Sequence, residues 1–230
     1  MTPSLQALLT AAWAVFVKDL RSELRTRYAL NAMLLFAASS AVAVSLGAQF
    51  LGTQQNVEPL QAALLWIALL FAALNGLSRS FVQEEETRTA LALRLASPPI
   101  AIYLGKLLFN LILLAALDTV TSLLFIMFVG VAIGNVGLFV TLLALGSLCL
   151  TTATTILAAI IAKANFKSAL FAVLAFPLFI PPLILVIRGT ALALTGASWG
   201  DGASFLQALS SYAVVTFVAS LFLFRTVWES

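Results

Sequence analysis

"VGLFVTLLALGSLCLTTATTILAAIIA", Val136 to Ala162, carries no charged residue over a length that crosses a bilayer. About 30 Å of hydrocarbon is spanned by about 20 apolar residues in a helix. A helix is the form that satisfies every backbone N–H and C=O within one segment, away from water. The stretch is therefore read as a membrane span. Further spans are expected from Ala29 to Leu51, Leu60 to Leu77, Ala101 to Val129, Ser168 to Ile187 and Ala203 to Phe224. Residues 1–230 then form one all-α polytopic domain with six transmembrane helices. A composition that is 62% hydrophobic and 9% charged agrees, since no soluble core buries that share of apolar side chains. The first apolar run is preceded by 28 residues and is longer than the 7–15-residue core of a leader, so it is expected to span.

Every lysine and arginine except Arg188 falls on one side of this layout: in the N-terminal segment, between spans two and three, between spans four and five, and in the C-terminal tail. Positive charge stays on the cytoplasmic side, which places both termini in the cytoplasm. The outer connections are short or weakly polar. A net charge of +3 gives no electrostatic footprint for nucleic acid.

Histidine is absent from the sequence and there is one cysteine, Cys149. The usual general base, the commonest metal ligand and the usual haem axial ligand are thereby missing together. Gly105-Lys106 is followed by Leu107 and preceded by Ile100 at the position where a phosphate loop needs glycine, so no nucleotide cradle is present. Energy input is expected to come from another polypeptide.

Two elements lie outside the spans. Within residues 1–28, Leu5, Leu9, Trp13, Phe16, Leu20 and Leu24 follow a 3–4 spacing, while Lys18, Arg21 and Arg25 take the opposite face. This pattern suits an amphipathic helix at the membrane surface. Between spans two and three, "SRSFVQEEETRTALALRLASPP" (Ser78 to Pro99) gathers Glu84, Glu85 and Glu86 ahead of good helix formers closed by Pro98 and Pro99. Acidic groups at a helix start and prolines after its end predict a bounded cytoplasmic helix over residues 79–98. Leu91 and Leu95 are expected to share a face with Val82, leaving Arg88 and Arg94 to solvent or a partner.

The segment "FVQEEETRTALALRLASPPIAIYLGKLLFN" resembles the coupling-helix region of ABC-2-type transporter permeases, and more narrowly the cytochrome c maturation protein B family of haem exporter permease subunits. "ILAAIIAKANFKSALFAVLAFPLFIPPLILVIRGT" is similar to that family's later segment, and "FVKDLRSELRTRYALNAMLLF" to its start. The resemblance covers nearly the full length. Arg88-Thr89-Ala90 stands where many such permeases have Gly-Thr or Gly-Ser. The resemblance implies a non-enzymatic permease subunit in the cell inner membrane, working as a homodimer with an ATP-binding ABC subunit. Docking would fall to Glu84, Glu85, Glu86 and Arg88. It implies that ATP hydrolysis in that partner drives haem export or the release of a haem-loaded periplasmic chaperone, with haem handled by another membrane subunit and no cofactor held by this chain.

Inside the spans, Asp118 is the one acidic residue, a costly position and hence a functional candidate, with Thr121 and Ser122 near enough in sequence to bond it. Pro177, Pro181 and Pro182 are expected to kink or interrupt span five, as in transporters whose discontinuous helices line the moving part. "TTATT", Thr151 to Thr155, is expected to satisfy itself on backbone carbonyls or neighbouring helices. Trp66, Trp199 and Trp228 fit interfacial belts. Met33, Met127 and Cys149 are scattered and read as packing. Two other classes of function remain open on the residues alone: a stand-alone secondary transporter or channel using Asp118, and a non-transporting scaffold.

Overall fold

The computed structural model describes residues 4–49, 57–77, 81, 84, 89–162 and 167–229, and among these the secondary structure is helical throughout. The order is α1 (Leu5–Thr26), α2 (Tyr28–Gln49), α3 (Glu58–Leu77), α4 (Ala90–Ala96), α5 (Pro99–Leu124) with a π turn over Phe125–Val129, α6 (Val136–Ala162), α7 (Lys167–Thr195) and α8 (Trp199–Glu229). Five of these helices are long and apolar enough to cross a membrane. They cover Leu30–Gly47, Pro99–Val129, Val136–Ala162, Leu174–Thr195 and Trp199–Trp228. The helix expected as span two, α3, has 20 residues, apolar over Glu58–Leu74. At 1.5 Å per residue it is about 30 Å long, close to the hydrocarbon thickness. The protein is a polytopic, all-helical membrane protein.

Packing explains which faces turn inward. α6 is the centre: it packs against α3, α5, α7 and α8, and an unbroken run from Cys149 to Ala159 is buried. Close approach needs small residues. Gly146 on α6 lies against the Trp66 ring and Val186. Trp66 is fully buried and its indole N–H donates to Thr190 Oγ1 at 2.9 Å, so α3 and α7 are joined through the middle of the bundle. Trp66 is thus a core residue, not the interfacial anchor its type suggested; the glycine opposite makes the room. The threonine run behaves as expected: Thr152, Thr154 and Thr155 donate back to carbonyls on their own helix, and Asn110 Nδ2 on α5 donates to Thr155 Oγ1 at 2.9 Å.

Two expectations about α7 and α8 are corrected. α7 runs as one helix through Pro177, Pro181 and Pro182 to Thr195, well past Ile187, so the prolines do not interrupt it. Pro182 has no N–H for the carbonyl four residues back, Leu178. That carbonyl instead accepts the Tyr212 hydroxyl from α8. A neighbouring helix supplying the missing donor is the device that lets prolines persist in membrane helices. The outer connection from Arg188 to Gly202 is consequently short: α7 gives way to α8 at Gly196, in the left-handed region at φ 81°. The turn before α6 is pinned there by Gly134 N–H to Leu194 O at 3.1 Å and Asn135 N–H to Ala193 O at 2.8 Å.

Candidate functional site

At the opposite end of the bundle the starts of α4 and α5, the middle of α1 and the end of α8 converge. α1 crosses α5 at Gly105, whose missing side chain leaves space for Ala12 and Val15. The contact face of α1 is Ala12, Val15 and Phe16, while Leu5, Leu9, Trp13 and Leu24 remain exposed. α1 thus packs on the bundle through one face, Phe16 of the expected apolar stripe included, while most of that stripe stays exposed.

One residue beyond the crossing, Lys106 is 1% exposed. Its ammonium meets Asp19 Oδ2 at 3.1 Å and Glu84 Oε1 at 2.9 Å. Lys18 joins from α1, bonding Glu84 Oε1 and lying 3.1 Å from Asp19 Oδ1. The group joins α1, α5 and the segment ahead of α4, and its four formal charges cancel. Burial by itself would raise the Glu84 carboxyl, but the Lys106 and Lys18 ammonium groups outweigh it and hold the group below the ordinary carboxylate range. Burial likewise opposes the charge on Lys18, and Asp19 with Glu84 more than reverses this, so its ammonium is held more firmly than usual.

An aromatic cluster continues from the ionic one. Lys106 Nζ lies 5.0 Å over the Phe81 ring, which packs against Phe224 and Trp228 near the end of α8. Trp228 stacks on Phe224 at 5.4 Å and carries the Arg94 guanidinium over its ring at 5.0 Å. Trp228 is buried here and serves packing, not a belt.

The charged connection itself divides. Phe81 and Glu84 are helical, Thr89 is not, and α4 starts afresh at Ala90. The Thr89 amide donates to Glu84 O at 3.0 Å across the break. Ser97 is extended and Pro98 caps α5, as the double proline predicted. Glu84 is placed inward, in the ion network; Glu85, Glu86 and Arg88 lie outside the described residues. Arg94 is half-buried and folds onto Trp228, and Leu93 sits half-buried against the cluster that holds Phe81, Phe224 and Trp228. Leu91 and Leu95 are the outward face, at 67% and 83% exposure. One turn apart, they make a small apolar ledge on a helix whose other side is held.

Within the spans, Asp118 is buried and accepts from the Ser147 hydroxyl of α6, so its partner comes from the next helix and not from Thr121 or Ser122. Asp118 Oδ1, Thr121 Oγ1 and Ser122 Oγ are buried with no hydrogen-bond partner among the described residues. Cys149 and Met33 are fully enclosed, and Met127 faces outward. Sequence reasoning missed Lys106, Asp19 and Lys18 as a unit, because Lys106 lies 87 residues from Asp19 and further still from Lys18. The one local signal was Lys106 itself, a lysine within the stretch expected as the span from Ala101 to Val129.

Two comparisons bear on this arrangement. The chain matches the family model described as "CcmB protein" over residues 10–227. No curated protein matches it.

Proposed function

The chain belongs to the CcmB family, a membrane permease family of cytochrome c maturation and haem export, and we propose that it is the permease subunit through which a separate ATPase drives that system. On this reading the protein sits in the cell inner membrane with both termini cytoplasmic, and α4 is the coupling helix. ATP binding closes the ATPase pair, which presses on α4, and the bundle responds. The single observation that carries the reading is the exposed Leu91–Leu95 ledge on a short helix fastened to the bundle on its other side. Exposed leucines on a polar connection gain nothing from water and gain about 1.5–3 kcal/mol each when fully covered. Glu85, Glu86 and Arg88 are proposed to add polar contacts around the ledge. Glu84, already engaged by Lys18 and Lys106, contributes to docking by holding the segment in place.

Haem is the cargo of the system and is proposed to be handled by other subunits and a periplasmic chaperone. Met33 and Cys149 fit a packing role, being sealed in the core. A homodimer with two ATPase subunits completes the proposed assembly, since one such chain supplies half the spans of a two-fold transporter.

Leu91→Glu with Leu95→Glu tests the reading. Both side chains are exposed, so the fold is expected to survive while recovery of an ATP-hydrolysing subunit with the permease falls at least tenfold. Undiminished recovery would sink the docking assignment. A secondary-transporter reading rests on buried Asp118 and its unpartnered oxygen. It requires Asp118→Asn to abolish activity while ATPase recovery is unchanged.

A further inference from the structure

We propose that Lys106 and Arg94 are positioning residues that fasten the docking helix α4 to two separate parts of the bundle, so that force on α4 reaches α1, α5 and α8 together. The inference rests on the reading of α4 as the coupling helix. With seven residues α4 is well below the length at which an isolated helix holds in water. Its leucine ledge faces away from the protein, so it draws little from its own packing. Order in α4 has to be imposed from its two ends.

The end before α4 is held by charge. Lys106 is nearly inaccessible, and a buried ammonium separated from its carboxylates is strongly disfavoured. Glu84 can therefore move only if Lys106 and Asp19 move with it. Thr89 carries this constraint into α4, because its amide and hydroxyl both donate to the Glu84 carbonyl, at 3.0 and 3.3 Å. Apolar contacts would fill the same volume but would tolerate sliding; an ion network is satisfied in one register. The other anchor is a cation over an aromatic face, Arg94 on Trp228, with Trp228 stacked on Phe224 of the same helix. Since α8 runs unbroken from Trp199 to Glu229, a displacement at Trp228 is passed along a single rigid element. The two anchors differ in their main chemistry, a buried ion network and a cation over an indole, and they meet at Phe81, which lies under Lys106 and packs on Trp228. Losing one leaves α4 hinged on the other.

The test has two arms. In the first, the chain alone is reconstituted in lipid nanodiscs with one spin label at Ala92→Cys, in a Cys149→Ala background. The label is expected to be ordered, to become mobile on the nanosecond scale with either Lys106→Met or Arg94→Ala, and to regain order with Lys106→Arg or Arg94→Lys, which keep the cation. An unchanged line shape in both disruptive variants overturns the proposal, as does failure of the conservative variants to restore order in a folded chain. In the second arm, the complex with its ATPase carries the label at Ser22→Cys on α1. Arg94→Ala, the milder change, is expected to keep ATPase recovery and hydrolysis while reducing the nucleotide-dependent line-shape change severalfold. A full response in Arg94→Ala and in Lys106→Met overturns transmission. If the unaltered chain recovers no ATPase, the proposed function fails, while the first arm still decides positioning.

Discussion

Replacing Gly105 by alanine should loosen the packing of α1, although the same exchange in most helices is stabilising. A Cβ at this position would lie 2.5 Å from the Ala12 carbonyl oxygen and 2.7 Å from Val15 Cβ. The first of these is backbone, so no rotamer change relieves it, and α1 must retreat by about 1 Å to restore a normal contact. Lys106 is the next residue, and its ammonium bonds Asp19 on the retreating helix at 3.1 Å. A shift of about 1 Å takes that pair beyond hydrogen-bonding distance. Overpacking costs about 1–3 kcal/mol, against a gain of about 1 kcal/mol from alanine's better helix propensity. A loosened buried ion pair adds to the loss, so a net destabilisation of about 2 kcal/mol is expected. Gly47, with nothing within 4 Å of its virtual Cβ, is the control, and Gly47→Ala should stabilise by up to about 1 kcal/mol. Unfolding in mixed detergent micelles, followed by tryptophan fluorescence, gives both values. If Gly105→Ala proves neutral or stabilising, the close crossing of α1 on α5 is wrong.

Other expectations follow from the same geometry. Lys106→Met should destabilise by about 3 kcal/mol, the low end for a broken buried pair because Lys18 still faces both carboxylates. Adding Glu84→Gln should cost much less than its effect alone; strictly additive losses in the double-mutant cycle would deny the contact. The folded Glu84 carboxyl lies below its ordinary 4.5, so its contribution is present above that pH and is lost as pH falls through the folded value. Lys18 is raised above 10.5, so its contribution is present below that pH and lost as pH rises past the folded value. Acid unfolding should therefore be less steep in Glu84→Gln than in the unaltered chain, and identical acid profiles would contradict the network. Tyr212→Phe strands the Leu178 carbonyl next to Pro182 and should cost about 1–3 kcal/mol by the same unfolding assay, with no loss refuting the rescue of that proline.

The membrane character, the helix content and several of the helix positions were readable from apolar runs because backbone satisfaction in lipid leaves few options. Hydropathy could not place the end of α7. The residues from Arg188 to Thr195 are mixed in polarity, and only tertiary contacts, Tyr212 on the carbonyl that Pro182 leaves free and Asn135 on Ala193, show how the helix is held that far. Tryptophan position depends on the opposing residue, which is distant in sequence: Gly146 for Trp66, and Arg94 for Trp228. The charged connection was legible as a concentration of charge and as a bounded element. Its inward and outward sides were not, because Arg94 reads as solvated until α8 places an indole beneath it. Leu91 and Leu95 read only as sharing a face with Val82, which lies outside the described residues, and the sequence did not show that they stand exposed.

The most direct measurement of the central claim is a photo-crosslink from position 95. Leu95 replaced by a benzophenone amino acid in native membranes should give a discrete adduct that an azido-ATP probe also labels. The same substitution at Leu35, exposed on α2 away from α4, should give none. An ATP-labelled adduct from position 95 alone is what the docking account predicts. No such adduct at 95 in a stably folded chain, or equal adducts from 95 and 35, would contradict it.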